Sequence, residues 1–270
     1  MVAPLDRVKL LNQAGQSAGA VSTLHKVLFN EGFRALWRGN TINVVRMVPN
    51  KMVLLSCSDL YKDLLQPLGL STMSLGGTAG ALSGATATAL TYPLDLARTR
   101  IAGYLVRPGG KAPYTSLLPT LRAIVQEEGW LAIFRGVSPT VLGALPYEGI
   151  KFGVYDQLKA QLPEEQRRSA LCRAAVGGVA VTLAHILTYP NDTIRRRLQM
   201  QGAGGEALLY HGYADCVRKL VAREGWRALY AGLGVTIVRG VPNTSIQFFV
   251  YEWCKDMLEY ADLLHREAHN

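Results

Sequence analysis

Glu31-Gly32, Glu128-Gly129 and Glu224-Gly225 stand 97 and 96 residues apart. Six residues after each glutamate comes an aromatic (Trp37, Phe134, Tyr230), and two further on a glycine (Gly39, Gly136, Gly232). Pro49, Pro146 and Pro242 keep the same phase, as do Asp59, Asp156 and Glu252, each with a lysine three residues later (Lys62, Lys159, Lys255). Ahead of each Glu-Gly lies a fourth element: Pro4-x-Asp6-x-x-Lys9, Pro93-x-Asp95-x-x-Arg98 and Pro190-x-Asp192-x-x-Arg195. Chance does not place so many features in phase three times. The chain is a threefold repeat, with units expected at 1–67, 68–164 and 165–264, and any fold for it must be built from one unit used three times.

The charges show what that unit is. Ser71–Leu94 and Ala174–Asn191 contain no Asp, Glu, Lys or Arg, and each has about the 20 residues that a helix needs to cross a bilayer. Both are rich in Gly, Ala, Ser and Thr; Gly76, Gly80 and Gly84 recur at spacing four, which lets helix backbones approach closely inside lipid. Short amphipathic helices are expected near 21–30, 117–127 and 213–223, and second hydrophobic helices near 41–65, 138–162 and 236–261. The second helices carry charge in mid-span: Arg46 and Lys51, Glu148 and Lys151, Arg239. Ionisable groups at that depth face a bundle interior or a water-filled cavity. The expected fold class is an all-α membrane protein.

Composition narrows the function. Twenty-nine basic against twenty acidic residues leave +9, which suits an anionic partner. The basic residues recur at repeat junctions rather than forming a patch, so nucleic-acid binding is not expected. No P-loop, GxGxxG after a strand or HExxH occurs, and the histidines are dispersed, so the chain reads as no enzyme, with no cofactor and no metal. The four cysteines are far apart and read as reduced thiols.

The thrice-repeated Pro-x-Asp-x-x-[Lys/Arg], followed by Glu-Gly and the aromatic-x-Gly element, resembles the mitochondrial carrier family of solute transporters over essentially the whole chain. The resemblance implies a six-helix transmembrane bundle with pseudo-threefold symmetry. It further implies a monomer and a multi-pass location in the mitochondrial inner membrane with acidic lipid such as cardiolipin. The function it implies is solute exchange by alternating access. It also implies two gates. On the matrix side Asp6 would pair with Arg98, Asp95 with Arg195, and Asp192 with Lys9, braced by Gln13 and Gln199, while Ala102 departs in repeat two. On the cytoplasmic side Asp59 would pair with Lys159, Asp156 with Lys255, and Glu252 with Lys62, braced by Tyr155 and Tyr251, with Ser58 departing. Only one ring closes at a time, and substrate must offset the cost of opening it, a few kcal/mol after desolvation.

Arg46, Gly143 and Arg239 are equivalent under the repeat, at a level that in this family contacts substrate. Two arginines suit phosphate or carboxylate, because guanidinium is a permanently charged fork of donors. Gly143-Ala144 leaves a small apolar gap in which an adenine would fit, with Tyr147 to stack on it; Asn50, Glu148, Lys151 and Asn243 lie within one or two turns. The resemblance is nearest to the adenine nucleotide, ATP-Mg/phosphate and coenzyme A branch. The expected solute is an adenine-nucleotide-like anion. Coenzyme A or another phosphate-bearing or carboxylate metabolite is the alternative, and a non-transporting membrane scaffold a second. Only three residues precede Pro4, against eighteen from Leu75 to Tyr92 before Pro93, so the first helix is expected to be truncated by a late-assigned start or as a fragment.

Overall fold

The computed structural model describes residues 3–16, 19–69, 72–106, 110, 112–163, 170–205 and 207–240. They contain helices and no strand. Each third runs from a first helix through a surface helix and a short 3-10 turn into a second helix. The first helices are α1 (Ala3–Gln13), α4 (Thr72–Gly103) and α7 (Ala170–Met200). The surface helices are α2 (Ala20–Glu31), α5 (Leu117–Glu128) and α8 (Tyr213–Glu224). The second helices are α3 (Asn40–Leu65), α6 (Val137–Gln161) and α9, of which residues 233–240 are described.

The repeated glycines explain the boundaries. Gly32, Gly129 and Gly225 take φ of 84°, 88° and 81°, and their N–H groups bond back to Leu28, Val125 and Val221, which ends each surface helix. Gly39, Gly136 and Gly232 take φ of 81°, 88° and 86° where the second helices begin. Side chains other than glycine rarely adopt this left-handed region, so both glycines of the motif are dictated by geometry.

The surface helices bury one stripe at helical spacing. Thr23 and Val27, Thr120 and Ile124, and Cys216 and Leu220 are the i and i+4 residues of that stripe, all at most 1% exposed. They face the ends of the first helices: Val27 clusters with Leu11, Ile124 with Tyr92 and Leu96, and Cys216 with Ile194 and Leu198. Each large aliphatic buried this way contributes about 1.5–3 kcal/mol. The Cys216 thiol, pushed up to about 11 by burial, is a packing group and not a nucleophile.

The long helices pair antiparallel. Asn50 and Tyr61 of α3 bond Thr91 and Thr86 of α4, while Tyr147 and Pro139 of α6 meet His185 and Asn191 of α7. Prolines lie inside all four of these helices: Pro49, Pro93, Pro146 and Pro190. Among the described residues no helix is long and apolar enough to cross a membrane. The uncharged parts of α4 and α7 are rich in Gly, Ala and Thr, which lowers their hydropathy, and α3 and α6 carry charges in mid-span.

Candidate functional site

The Pro-x-Asp-x-x-[Lys/Arg] elements bring α1, α4 and α7 together in a closed triangle. Within each element acid and base are i,i+3 neighbours on one face, yet they pair between helices. Arg98 Nη2 donates to Asp6 Oδ2 at 3.3 Å, Arg195 Nη2 to Asp95 Oδ2 at 2.5 Å, and Lys9 Nζ lies 3.8 Å from Asp192 Oδ2. Gln199 Nε2 donates to Asp95 Oδ2 at 3.0 Å and to the Tyr92 hydroxyl at 3.0 Å. Gln13 is fully buried, and Ala102 is the residue at that level of α4.

The three links differ in strength. Asp95, 4% exposed, also faces Arg196 at 3.5 Å and Arg46 Nε at 3.8 Å. Asp6 accepts a second bond from Arg239 Nη1 at 2.6 Å, shorter than its bond from Arg98. Lys9 is the only cation within 4 Å of the Asp192 side chain, 39% exposed, among the described residues. Two arginines expected to meet substrate, Arg46 and Arg239, are thus in contact with ring acids.

A second ionic layer was not foreseen, although the Glu-Gly repeat was its signal. Arg7 donates to both oxygens of Glu31 at 2.8 Å and to the carbonyls of Ala35, Ala102 and Tyr104. Arg100 pairs with Glu128 and donates to the Gln199 and Gln201 carbonyls. Arg197 is bidentate to Glu224 at 2.8 and 2.6 Å. Arg100 and Arg197 follow the ring base by two residues; Leu11 stands there in repeat one, and Arg7, one helical turn earlier, takes over the pairing. Arg38 and Arg135 add second cations to Glu31 and Glu128, whereas Ala231 occupies that place in repeat three.

Between α4, α6 and α7, beside this ring, lies a cavity of about 320 Å³ that contains Gly143, Ala144 and Tyr147. The Tyr147 ring packs edge-on against His185 with centroids 4.9 Å apart, and Lys151 Nζ sits 5.7 Å from its centroid. Asn191 Nδ2 donates to the Pro139 carbonyl at 2.8 Å and lies 1.9 Å from where a Cβ on residue 143 would be. Glycine at 143 therefore makes room for Asn191, a residue the sequence reading passed over. Asn50 Nδ2 donates to Thr91 Oγ1 at 3.0 Å. The Glu148 side chain and Asn243 lie outside the described residues.

At the far helix ends Lys62 Nζ donates to Asp59 Oδ1 of its own helix at 3.3 Å, with both side chains exposed, and Asp59 makes no ion pair with Lys159. An exposed pair of this kind is worth only a few tenths of a kcal/mol. Lys159 Nζ stands 5.8 Å over the Tyr155 ring, and Asp156 is exposed. Tyr251, Glu252 and Lys255 lie outside the described residues.

The family described as mitochondrial carrier protein matches the chain three times, over residues 1–68, 71–166 and 166–262. The maize mitochondrial carrier protein CoAc1 is 33% identical over 95% of this chain and 82% of its own length. The mitochondrial coenzyme A transporter of Xenopus tropicalis is 35% identical over 96% of this chain and 81% of its own. The ADP,ATP carrier protein of Neurospora crassa is 34% identical over 90% and 83%. The chain belongs to the mitochondrial carrier family, and it is a transporter and not an enzyme.

Proposed function

We propose that the protein exchanges a phosphate-bearing adenine compound across the mitochondrial inner membrane. The three units, 1–67, 68–164 and 165–264, would form a monomeric, multi-pass, pseudo-threefold bundle of six helices around one cavity, seated in acidic lipid such as cardiolipin. The observation that carries the substrate class is the chemistry that the second helices bring to the ring and to the cavity beside it. Arg46 and Arg239 come from two second helices, each with a buried Nε–H that has no acceptor among the described residues, while the remaining second helix offers Gly143, Ala144 and Tyr147, which line the cavity beside the ring. Guanidinium forks suit phosphate, and a small wall with an aromatic beside it suits a flat base.

The paired ring would be the matrix gate, built from Asp6, Lys9, Asp95, Arg98, Asp192 and Arg195 with Gln13 and Gln199 as braces. Asp59, Lys62, Asp156, Lys159, Glu252 and Lys255, with Tyr155 and Tyr251, would be the cytoplasmic gate. Asp59 rests on its own Lys62, as a gate that is open on that side requires. Asn50, Lys151, Glu148 and Asn243 complete the proposed substrate level.

An adenine nucleotide is the first reading. Coenzyme A is the second, supported by relatives named as coenzyme A transporters, and it shares the adenosine and phosphates. The test is uptake of labelled ATP and of labelled coenzyme A into liposomes loaded with either compound or left empty. Uptake that requires an internal adenine compound is the expected result. Uptake of neither compound by folded protein would overturn the substrate class, and uptake into empty vesicles would overturn exchange.

A further inference from the structure

Asn191 breaks the repeat at a position that lines the cavity between α4, α6 and α7. Leucine follows the proline in the first two Pro-x-Asp elements (Leu5, Leu94), and asparagine follows it in the third. The second helices depart at the same level, where two carry Arg46 and Arg239 and the other carries Gly143. Arg46 and Leu94 stand 48 residues apart, as do Gly143 and Asn191. One seam thus has arginine and leucine, and the next has glycine and asparagine. The polar group has moved from the second helix to the first helix that follows it. Its hydrogen bonds fix what it offers. Asn191 Nδ2 donates to the Pro139 carbonyl at 2.8 Å. A carbonyl only accepts, so the arm that meets it is the amide nitrogen, and the orientation of the carboxamide is decided. Oδ1, the other arm, lies 3.6 Å from where a Cβ on Gly143 would be and has no hydrogen-bond partner among the described residues. Thr188, three residues earlier on the same face of α7, also lines the cavity. Its hydroxyl donates to the Ala184 carbonyl at 2.8 Å, so its one proton is used and its oxygen keeps only lone pairs. Two acceptors therefore stand side by side in the space that holds the Tyr147 ring.

We propose that Asn191 selects the base of the solute: its Oδ1, with Thr188 Oγ1 beside it, accepts the exocyclic amine of a 6-aminopurine. The proposal rests on the adenine reading above and deepens it, from a flat base to one particular edge of that base. The amine brings two N–H donors, one for each acceptor. A 6-oxopurine brings a carbonyl to the same place, which sets lone pairs against lone pairs and leaves both acceptors unpaired. Discrimination then comes from rejecting the wrong edge as well as from binding the right one. Glycine at 143 serves the same end, because it leaves the room in which the Asn191 carboxamide reaches the Pro139 carbonyl. A leucine at 191, as at positions 5 and 94, would pack against a base without telling the two edges apart.

The test reads a ratio, because a merely structural role would not move it. Dissociation constants for ATP and for ITP, its 6-oxo counterpart, would be measured by calorimetry on the wild-type protein and on Asn191→Leu, each first checked for cooperative thermal unfolding. Coenzyme A and its hypoxanthine counterpart form a second pair. The wild type is expected to bind the amino member of a pair about tenfold more tightly than the oxo member, the scale of one hydrogen bond. In Asn191→Leu the amino compound should weaken and the ratio fall to about one. A seam that is only loosened weakens both members alike, so a ratio that keeps its wild-type value in Asn191→Leu would overturn the proposal. Equal binding of both members by the wild type would overturn it as well. If Asn191→Leu does not fold, Asn191→Ala removes the same Oδ1 and is read in the same way. Failure of the wild type to bind ATP or coenzyme A at all would instead sink the substrate reading.

Discussion

The junction of α4 with α7 and the junction of α7 with α1 are built from the same motif and are not equal. At the first, Asp95 is almost fully buried among Arg195, Arg196 and Arg46 and braced by Gln199, and Arg100 is fully buried on Glu128. At the second, Asp192 holds one lysine at 3.8 Å with 39% of its side chain exposed, and Glu224 is 43% exposed with no counterpart of Arg38 or Arg135. A threefold sequence thus gives a ring with one strong and one weak seam. The departures from the repeat, not the repeat itself, decide where the ring is easiest to part.

Neutralising the two acids should expose that difference most clearly. Asp95→Asn leaves three arginines around a neutral amide and is expected to cost about 3–5 kcal/mol, while Asp192→Asn, discounted for exposure, costs about 1 kcal/mol or less. Thermal unfolding of both variants checks this, and equal losses would break the comparison. One layer out, Glu128→Gln strands the buried Arg100 and is expected to cost about 3 kcal/mol, against about 1 kcal/mol for Glu224→Gln. Denaturation midpoints in detergent would rank them.

Gly143→Ala places a methyl group on Asn191 and is expected to cost about 1–3 kcal/mol by overpacking. Adding Asn191→Ser should recover part of that loss, so a double-mutant cycle with no coupling would refute the contact. The smallest effect concerns Asp215 at the start of α8, which lies outside the ring. The hydrogen bond from Lys219 and that from the His211 N–H lower its carboxyl from 3.8 to about 2. Its contribution is present above the ordinary carboxylate range and is lost as pH falls through about 2. Hydrogen exchange in the first turn of α8 should quicken between those limits without disturbing the ring.

Much of this was legible in the sequence. Helical spacing and glycine positions located α3, α5, α6 and α8 to within a few residues, whereas the charge-free runs marked only the middle of α4 and α7, which continue through their charged ends to Gly103 and Met200. The acids and bases of the ring were legible because a phase repeated three times fixes which residues share a level. Spacing gives level and not partner, however. Arg46 and Arg239 were read as ligand contacts, and only three-dimensional placement shows them on Asp95 and Asp6. Arg7 escaped notice because it breaks the repeat, replacing from one turn earlier the basic residue that Leu11 displaced. Asn191 escaped because its partner is a missing side chain, the absent Cβ of Gly143.

The left-handed glycines that open the second helices have one more consequence. A Cβ on Gly39 would press on Ala102 of α4, one on Gly136 on Tyr92 of α4 and Gln199 of α7, and one on Gly232 on Tyr189 of α7 and the Lys9 carbonyl of α1. Each joint is thus lodged against the first helix of the following third, and the last returns to the beginning. Three elbows interlocked in a circle behave as one linkage, in which none can swing far while its neighbour stays still. Tilting of any one third is passed on mechanically to the next, and a single added methyl group at any elbow would act as a wedge on all three.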